Sequence, residues 1–174
     1  VDRAADRILS VVLLVDPDDA LVEAAAATGA GWLQLHGAES PARVAAMKAA
    51  TGRKLIKALP IGGPEDVAAV PAYAAVADLL ILDAKPPKDA TRPGGLGTPF
   101  DWALLDALDP SVQFLLSGGL DPDNVSAAIE RVRPWGLDVS SGVERTRGEK
   151  DAGLIGRFIA RARAAHNALE KAAS

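Results

Sequence analysis

Short apolar runs recur along the chain, each closed by turn residues: Val11–Val15, Trp32–Leu35, Leu55–Leu59, Leu79–Leu82, Val112–Leu116 and Leu137–Val139. Most are continuous rather than alternating, the pattern of strands buried on both faces of a parallel sheet. Alanine-rich stretches separate them and predict helices. Asp19–Thr28 stops at Gly29, and Pro41–Ala50 follows the N-cap residue Ser40 and stops at Gly52. Pro64–Val70, Phe100–Leu108, Pro122–Arg131 capped by Asp121, and Ala152–Lys171 complete the set. Strand alternating with helix is the signature of an α/β fold. The strands begin about 25 residues apart, so eight such units would reach about 200 residues, the lower end for a (β/α)₈ barrel. Six strands also fit an open doubly wound sheet, and periodicity alone leaves the two open.

Composition narrows the picture. The chain has 174 residues, half of them apolar, which predicts one folded domain over residues 1–174. Its formal charge is −4 with no basic run, which argues against nucleic acid as a partner. It has no cysteine, which excludes disulfides, thiolate metal sites and thiol catalysis by these residues and agrees with a cytoplasmic location. No apolar run approaches the roughly 18 residues of a membrane span. The longest irregular stretch, Ala84–Pro99, holds four prolines and three glycines directly after a strand, where α/β enzymes place active-site loops.

In α/β folds of both kinds, chemistry gathers at the C-terminal ends of strands. Those ends carry Asp16; Gln34, His36 and Gly37; Asp83 and Lys85; Ser117, Gly118 and Gly119; and Asp138, Ser140, Ser141 and Gly142. The two glycine turns can aim free N–H groups at one phosphate, although either alone would read as an ordinary βα turn. Asp83 follows three buried apolar residues; partial desolvation favours its protonated form and suits a general acid, while pairing with a nearby lysine is the structural alternative. His36 suits substrate binding or proton transfer, or satisfies loop backbone. Lys57 lies inside a strand, pointing inward or outward, with a Schiff-base role as one option. Asp138 can hold a substrate hydroxyl or amine, or cap a turn. His166 reads as solvated helix surface. With two histidines and no cysteine, no metal cluster is evident. Gly94-Gly95-Leu96-Gly97 lacks the spacing and the strand-to-helix context of a dinucleotide loop.

Five blocks in order carry a resemblance. They are Leu33-Gln34-Leu35-His36-Gly37; the Leu82-Asp83 strand end; Gly94-Gly95-Leu96-Gly97 followed by Phe100-Asp101-Trp102; Leu116-Ser117-Gly118-Gly119-Leu120 with Asn124-Val125; and Leu137-Asp138-Val139-Ser140-Ser141-Gly142-Val143-Glu144 with Lys150-Asp151. Together they resemble phosphoribosylanthranilate isomerase over roughly Val11 to Ile159. The resemblance implies a (β/α)₈ TIM barrel and an Amadori rearrangement in tryptophan biosynthesis, with no metal or organic cofactor. The partner it implies is a small phosphosugar substrate, acted on by a monomer or homodimer. It implies Asp83 as general acid, Gly118, Gly119, Ser140, Ser141 and Gly142 around the phosphate, and Gln34, His36 and Asp138 along the anthranilate and ribose. Gly95 falls in the mobile loop that covers the substrate.

The sequence also departs from that family. Members open on a Lys-Ile-Cys-Gly strand whose cysteine is the general base, and an arginine follows their second strand; neither is found here. The expectation is therefore that strands three to eight are present and that two β/α units, about 40 to 50 residues, precede the family's corresponding segment. The competing functional expectation is a catalytically inactive phosphate-binding barrel fragment without the cysteine base. Other phosphosugar barrels fit less well: an epimerase would want metal-binding histidines and acids, and indole-glycerol-phosphate synthase a longer chain with catalytic lysine and glutamate.

Overall fold

A computed structural model describes residues 8–85 and 100–173. The expected alternation is present. In chain order the elements are β1 (Val11–Leu14), α1 (Asp19–Ala27), β2 (Trp32–Leu35), α2 (Pro41–Thr51), β3 (Lys54–Ile61), α3 (Pro64–Ala74), β4 (Leu79–Ala84), β5 (Phe114–Leu116), α4 (Val125–Val132), β6 (Gly136–Leu137), β7 (Glu144–Thr146), β8 (Glu149–Lys150) and α5 (Ala152–Ala173). Strands β1 to β6 form one sheet in sequence order, the order produced by repeated right-handed βα crossovers. The chain divides into two compact units. One takes the residues up to Leu59 together with Ala68–Ile81, the other Pro60–Val67 together with everything from Leu82 onward.

In the first unit β1, β2 and β3 pair in parallel, with Leu14 opposite Leu35 and Leu35 opposite Lys57. Leu14, Val22, Leu33, Leu35, Val44, Met47 and Leu55 are buried together, with Tyr73 and Val76 packed against them. Alternation decides which side of β1 is covered: Val11 and Leu13 are exposed and Leu14 is buried. Helix α2 starts as its sequence predicts, with the Ser40 hydroxyl accepting from the Arg43 N–H at 3.2 Å and Pro41 next in line. It ends on Gly52 at φ 60°, a left-handed conformation that glycine adopts without a Cβ penalty. Asp78 ties the start of β3 to its surroundings, accepting from the Leu55 N–H at 2.9 Å and from Lys48 Nζ at 2.9 Å.

In the second unit β5 and β6 pair in parallel, and α4 packs on α5. Several boundaries differ from expectation. The predicted helix Pro122–Arg131 begins at Val125, with Asn124 rather than Asp121 at the N-cap. Asp121 instead folds a turn ahead of the helix, its Oδ1 accepting from the N–H groups of Asp123 and Asn124 at 2.7 and 2.9 Å. The predicted helix Phe100–Leu108 is a 3₁₀ helix at Trp102–Ala107, opened by the Asp101 carboxylate on the Ala103 N–H. Helix α3 runs through Pro71 to Ala74, beyond the expected stop at Val70. Pro71 removes one N–H donor from an exposed face but leaves its carbonyl, which accepts from Ala75 at 3.2 Å. The hairpin β7–β8 was not expected, because Glu144–Thr146 and Glu149–Lys150 carry no apolar alternation; Arg145 and Glu149 pair across it.

Candidate active site

Three strand ends meet within the second unit. Ser117 N–H donates to the Leu82 carbonyl at 2.8 Å, and Asp138 N–H to the Leu116 carbonyl at 2.9 Å, so the chain leaves β4, β5 and β6 at one level. Asp83, half-buried, closes the buried run Leu80-Ile81-Leu82. Lys85, two residues on, pairs its ammonium with Asp66 at 2.8 Å. Asp66 also accepts from Gly62 and Gly63 N–H at 2.9 and 3.1 Å. Burial pushes the Asp66 carboxyl up, but the Lys85 hydrogen bond and charge and the glycine N–H groups outweigh it and hold it low.

The glycine turns behave as their sequence requires. Gly118 and Gly119 have φ of 87° and 66°. A Cβ on Gly118 would drive into the backbone N of Ala84, the residue after Asp83. One on Gly142 would drive into the carbonyl oxygen of Leu120, the residue after Gly119. These close approaches set the turn after β6 against the turn after β5, and the turn after β5 against the end of β4. Asn124 braces the β5 turn, donating to the Gly119 carbonyl at 2.7 Å and accepting from Asp121 N–H at 3.0 Å. Ser141 and Gly142 open a 3₁₀ turn at Ser141–Val143, so their N–H groups lie ahead of its first bonded donor, Val143, which gives to the Ser140 carbonyl. Lys150 holds that turn from outside, on the Ser140 carbonyl at 2.8 Å and on Glu144 at 2.7 Å. Asp138 accepts from the Ser117 hydroxyl at 2.9 Å, linking the two turns through side chains. The two turns set the backbone N–H groups of Gly118, Gly119, Ser141 and Gly142 at the ends of β5 and β6, the kind of donor that can hold an oxyanion.

In the first unit, Gln34 lies half-buried on β2, and His36 follows it with its N–H on the Leu14 carbonyl at 2.8 Å. Lys57 turns inward and is engaged. Its Nζ gives hydrogen bonds to the Gly37 carbonyl at 2.7 Å and to Glu39 Oε2 at 2.9 Å, with both side chains 2% exposed. That pairing removes Lys57 as a candidate Schiff-base amine. Glu39 was not among the expected residues. The available signal was Lys57 itself: an ammonium inside an apolar strand demands a buried counter-charge. Burial pushes the Glu39 carboxyl up; the hydrogen bond and charge of Lys57 and nearby backbone N–H groups overcome this and leave it below its ordinary value.

Gly95 and its neighbours in Gly94–Gly97 lie outside the described residues. His166 is exposed on α5, as expected. Among the described residues no group of three or more His, Cys, Asp or Glu side chains could hold a metal ion, and no helix is long and apolar enough to cross a membrane. A cavity of about 530 Å³ lined by Trp102, Phe114, Arg131, Arg133 and Trp135 sits before β5 and β6, at the opposite ends of these strands from the glycine turns. None of the expected site residues lines it.

The chain is similar to known proteins over most of its length. The N-(5'-phosphoribosyl)anthranilate (PRA) isomerase family matches residues 3–161. An N-(5'-phosphoribosyl)anthranilate isomerase of Azorhizobium caulinodans is 56% identical over 94% of this chain and 72% of its own length. One from Rhodopseudomonas palustris is 52% identical over 94% of this chain and 77% of its own. Among solved structures, the phosphoribosyl anthranilate isomerase of Thermotoga maritima superposes with a TM-score of 0.76 at 34% identity, covering 90% of this chain and 74% of that one. An isomerase structure in complex with reduced 1-(o-carboxyphenylamino)-1-deoxyribulose 5-phosphate gives 0.71 at 29% identity, covering 93% and 77%. The motifs, the α/β sheet and the match across residues 3–161 lead to one conclusion: the chain belongs to the N-(5'-phosphoribosyl)anthranilate isomerase family.

Proposed function

We propose that the chain performs its family's isomerisation with Asp83 as general acid and with the turns after β5 and β6 holding the 5-phosphate. The reaction converts N-(5-phosphoribosyl)anthranilate to 1-(2-carboxyphenylamino)-1-deoxyribulose 5-phosphate in tryptophan biosynthesis. The acid gives its proton to the furanose ring oxygen. The ring C1–O bond breaks and the nitrogen lone pair forms the C1=N Schiff base. A base then removes the C2 proton, its electrons pass to nitrogen as an enolamine, and tautomerisation delivers the ketone. The observation that carries the assignment is the junction of the Asp83 strand end with the Gly118 and Gly142 turns inside one unit. Phosphate held there places the sugar ring within reach of one carboxyl.

In this reading Gln34, His36 and Asp138 line the anthranilate and ribose, Ser140 and Ser141 support the phosphate, and Gly95 belongs to the loop that covers the substrate. Strands β1 to β6 correspond to the third to eighth strands of a single barrel domain, working in the cytoplasm as a monomer or homodimer. Asp83→Asn removes the transferable proton while keeping shape. It should lower kcat by about 10²- to 10⁴-fold with the unfolding midpoint unchanged, read from the loss of anthranilate-type fluorescence as substrate is consumed. Normal turnover by that variant would remove Asp83 from the mechanism. A second reading, a phosphate-binding barrel without turnover, rests on the absence of cysteine from the 174 residues. Binding of a reduced product analogue with no conversion of substrate is its distinguishing result.

A further inference from the structure

The pair Lys57–Glu39 is buried, charged and unused by the chemistry above. Beyond the bond between the two side chains, the pair reaches the last residue of β2 and the segments that follow β1 and β2. Lys57 Nζ donates to the carbonyls of Leu35 and Gly37, at 3.4 and 2.7 Å, the residues on either side of His36. Glu39 Oε1 accepts from the N–H of Asp16 at 3.0 Å and of Gly37 at 3.1 Å, and Oε2 from Gly37 N–H at 3.1 Å. The Asp16 Oδ1 in turn accepts from the Ala38 N–H at 2.6 Å. Tyr73 donates its hydroxyl to the Glu39 carbonyl at 3.2 Å and offers its ring to Lys57 Nζ at 5.9 Å from the centroid.

The groups facing this pair are therefore backbone polar groups, one phenol and the Asp16 loop. The side chains are almost wholly shielded from water, so neither charge can reach a ligand. A pair of charges taken out of water at considerable cost, with its hydrogen bonds spent on fixing residues 35 to 39 and Asp16, has a mechanical rather than a chemical role. We infer that Lys57 and Glu39 are positioning residues: they lock the main chain on both sides of His36, so that its imidazole meets the carboxylate-bearing ring of the substrate in one orientation. This rests on the reading that His36 lines the substrate.

A double-mutant cycle on the full chain tests it. Glu39→Gln keeps the shape but weakens the clamp. It should raise KM by roughly tenfold and leave kcat within about twofold, because ground-state placement rather than proton transfer is disturbed. His36→Asn should raise KM similarly, and the double variant should be no worse than His36→Asn alone, because the clamp acts only through that side chain. Should Glu39→Gln not fold, the paired Glu39→Gln/Lys57→Met variant leaves no buried charge and should give the same KM effect and the same non-additivity. A lowered unfolding midpoint with wild-type KM, or KM factors that multiply in the double variant, overturns the positioning role. A wild-type KM for His36→Asn alone overturns the underlying placement of substrate, and is distinguishable because it needs no change at Glu39.

Discussion

At Gly118 two constraints act on the same missing atom. The residue sits at φ 87°, where any Cβ is strained, and its backbone lies against the N of Ala84, where any Cβ would collide. Gly118→Ala should therefore cost on the order of 1–3 kcal/mol in chemical denaturation from backbone strain. It should also weaken competitive inhibition by inorganic phosphate, since relieving the collision moves the turn away from β4. The need for glycine was legible in Ser117-Gly118-Gly119; the neighbour that enforces it was not, because Ala84 is 34 residues away and silent in sequence. Lys57 teaches the converse. A lysine within Leu-Ile-Lys-Ala-Leu was visible as a charge in an apolar strand, but whether it pointed inward or outward depended on the turn of β3 and on Glu39, which sits in an unremarkable polar stretch. Asp83 shows the same limit: its strand-end position was readable, whereas the pairing of Lys85 with Asp66 needed the fold.

Among the elements, helix α2 was read closely because its ends are locally encoded. Ser40, Pro41 and Gly52 act through bonds within a few residues. Ser40→Ala should cost about 1 kcal/mol of stability, checked by urea denaturation, with kcat and KM unchanged. Where boundaries slipped, the deciding contacts were tertiary or the local signals competed. Pro122 looked like a first helical residue, yet Asp121 captured the N–H groups of Asp123 and Asn124 and delayed the helix to Val125. Strand β6 is shorter than its apolar run, since only Gly136 and Leu137 pair with β5. Strand β3 is longer than its own, since Lys54 pairs opposite Trp32 and stacks its ammonium 5.1 Å from that ring centroid. The β7–β8 hairpin rests on Arg145 and Glu149 and on Gly148 at φ 78°, a turn with no hydrophobic signature.

Across the whole molecule, carboxylates govern the response to acid. Glu39, Asp66 and Asp78 are each pushed up by burial but held low overall by hydrogen bonds and by Lys57, Lys85 and Lys48 respectively. Carboxyls lowered in the folded state stabilise it fully above their unfolded range, about pH 4 to 4.5, and lose that contribution as pH falls through their lower folded values. Thermal unfolding should thus show a flat midpoint from pH 7 down to about 5 and a falling one below about 4, a fall reduced in Glu39→Gln. The α/β class was legible from periodicity because each strand and helix declares itself locally; the division into two units was not, because it follows no boundary of composition. That division has a consequence for how the chain is made. It changes unit at Leu59, at Val67 and again at Ile81, inside β3, inside α3 and inside β4. No single cut separates the halves. During synthesis Pro60–Val67 emerges before Ala68–Ile81, so the residues that it shares a unit with, from Leu82 onward, are made only after a stretch of the other unit.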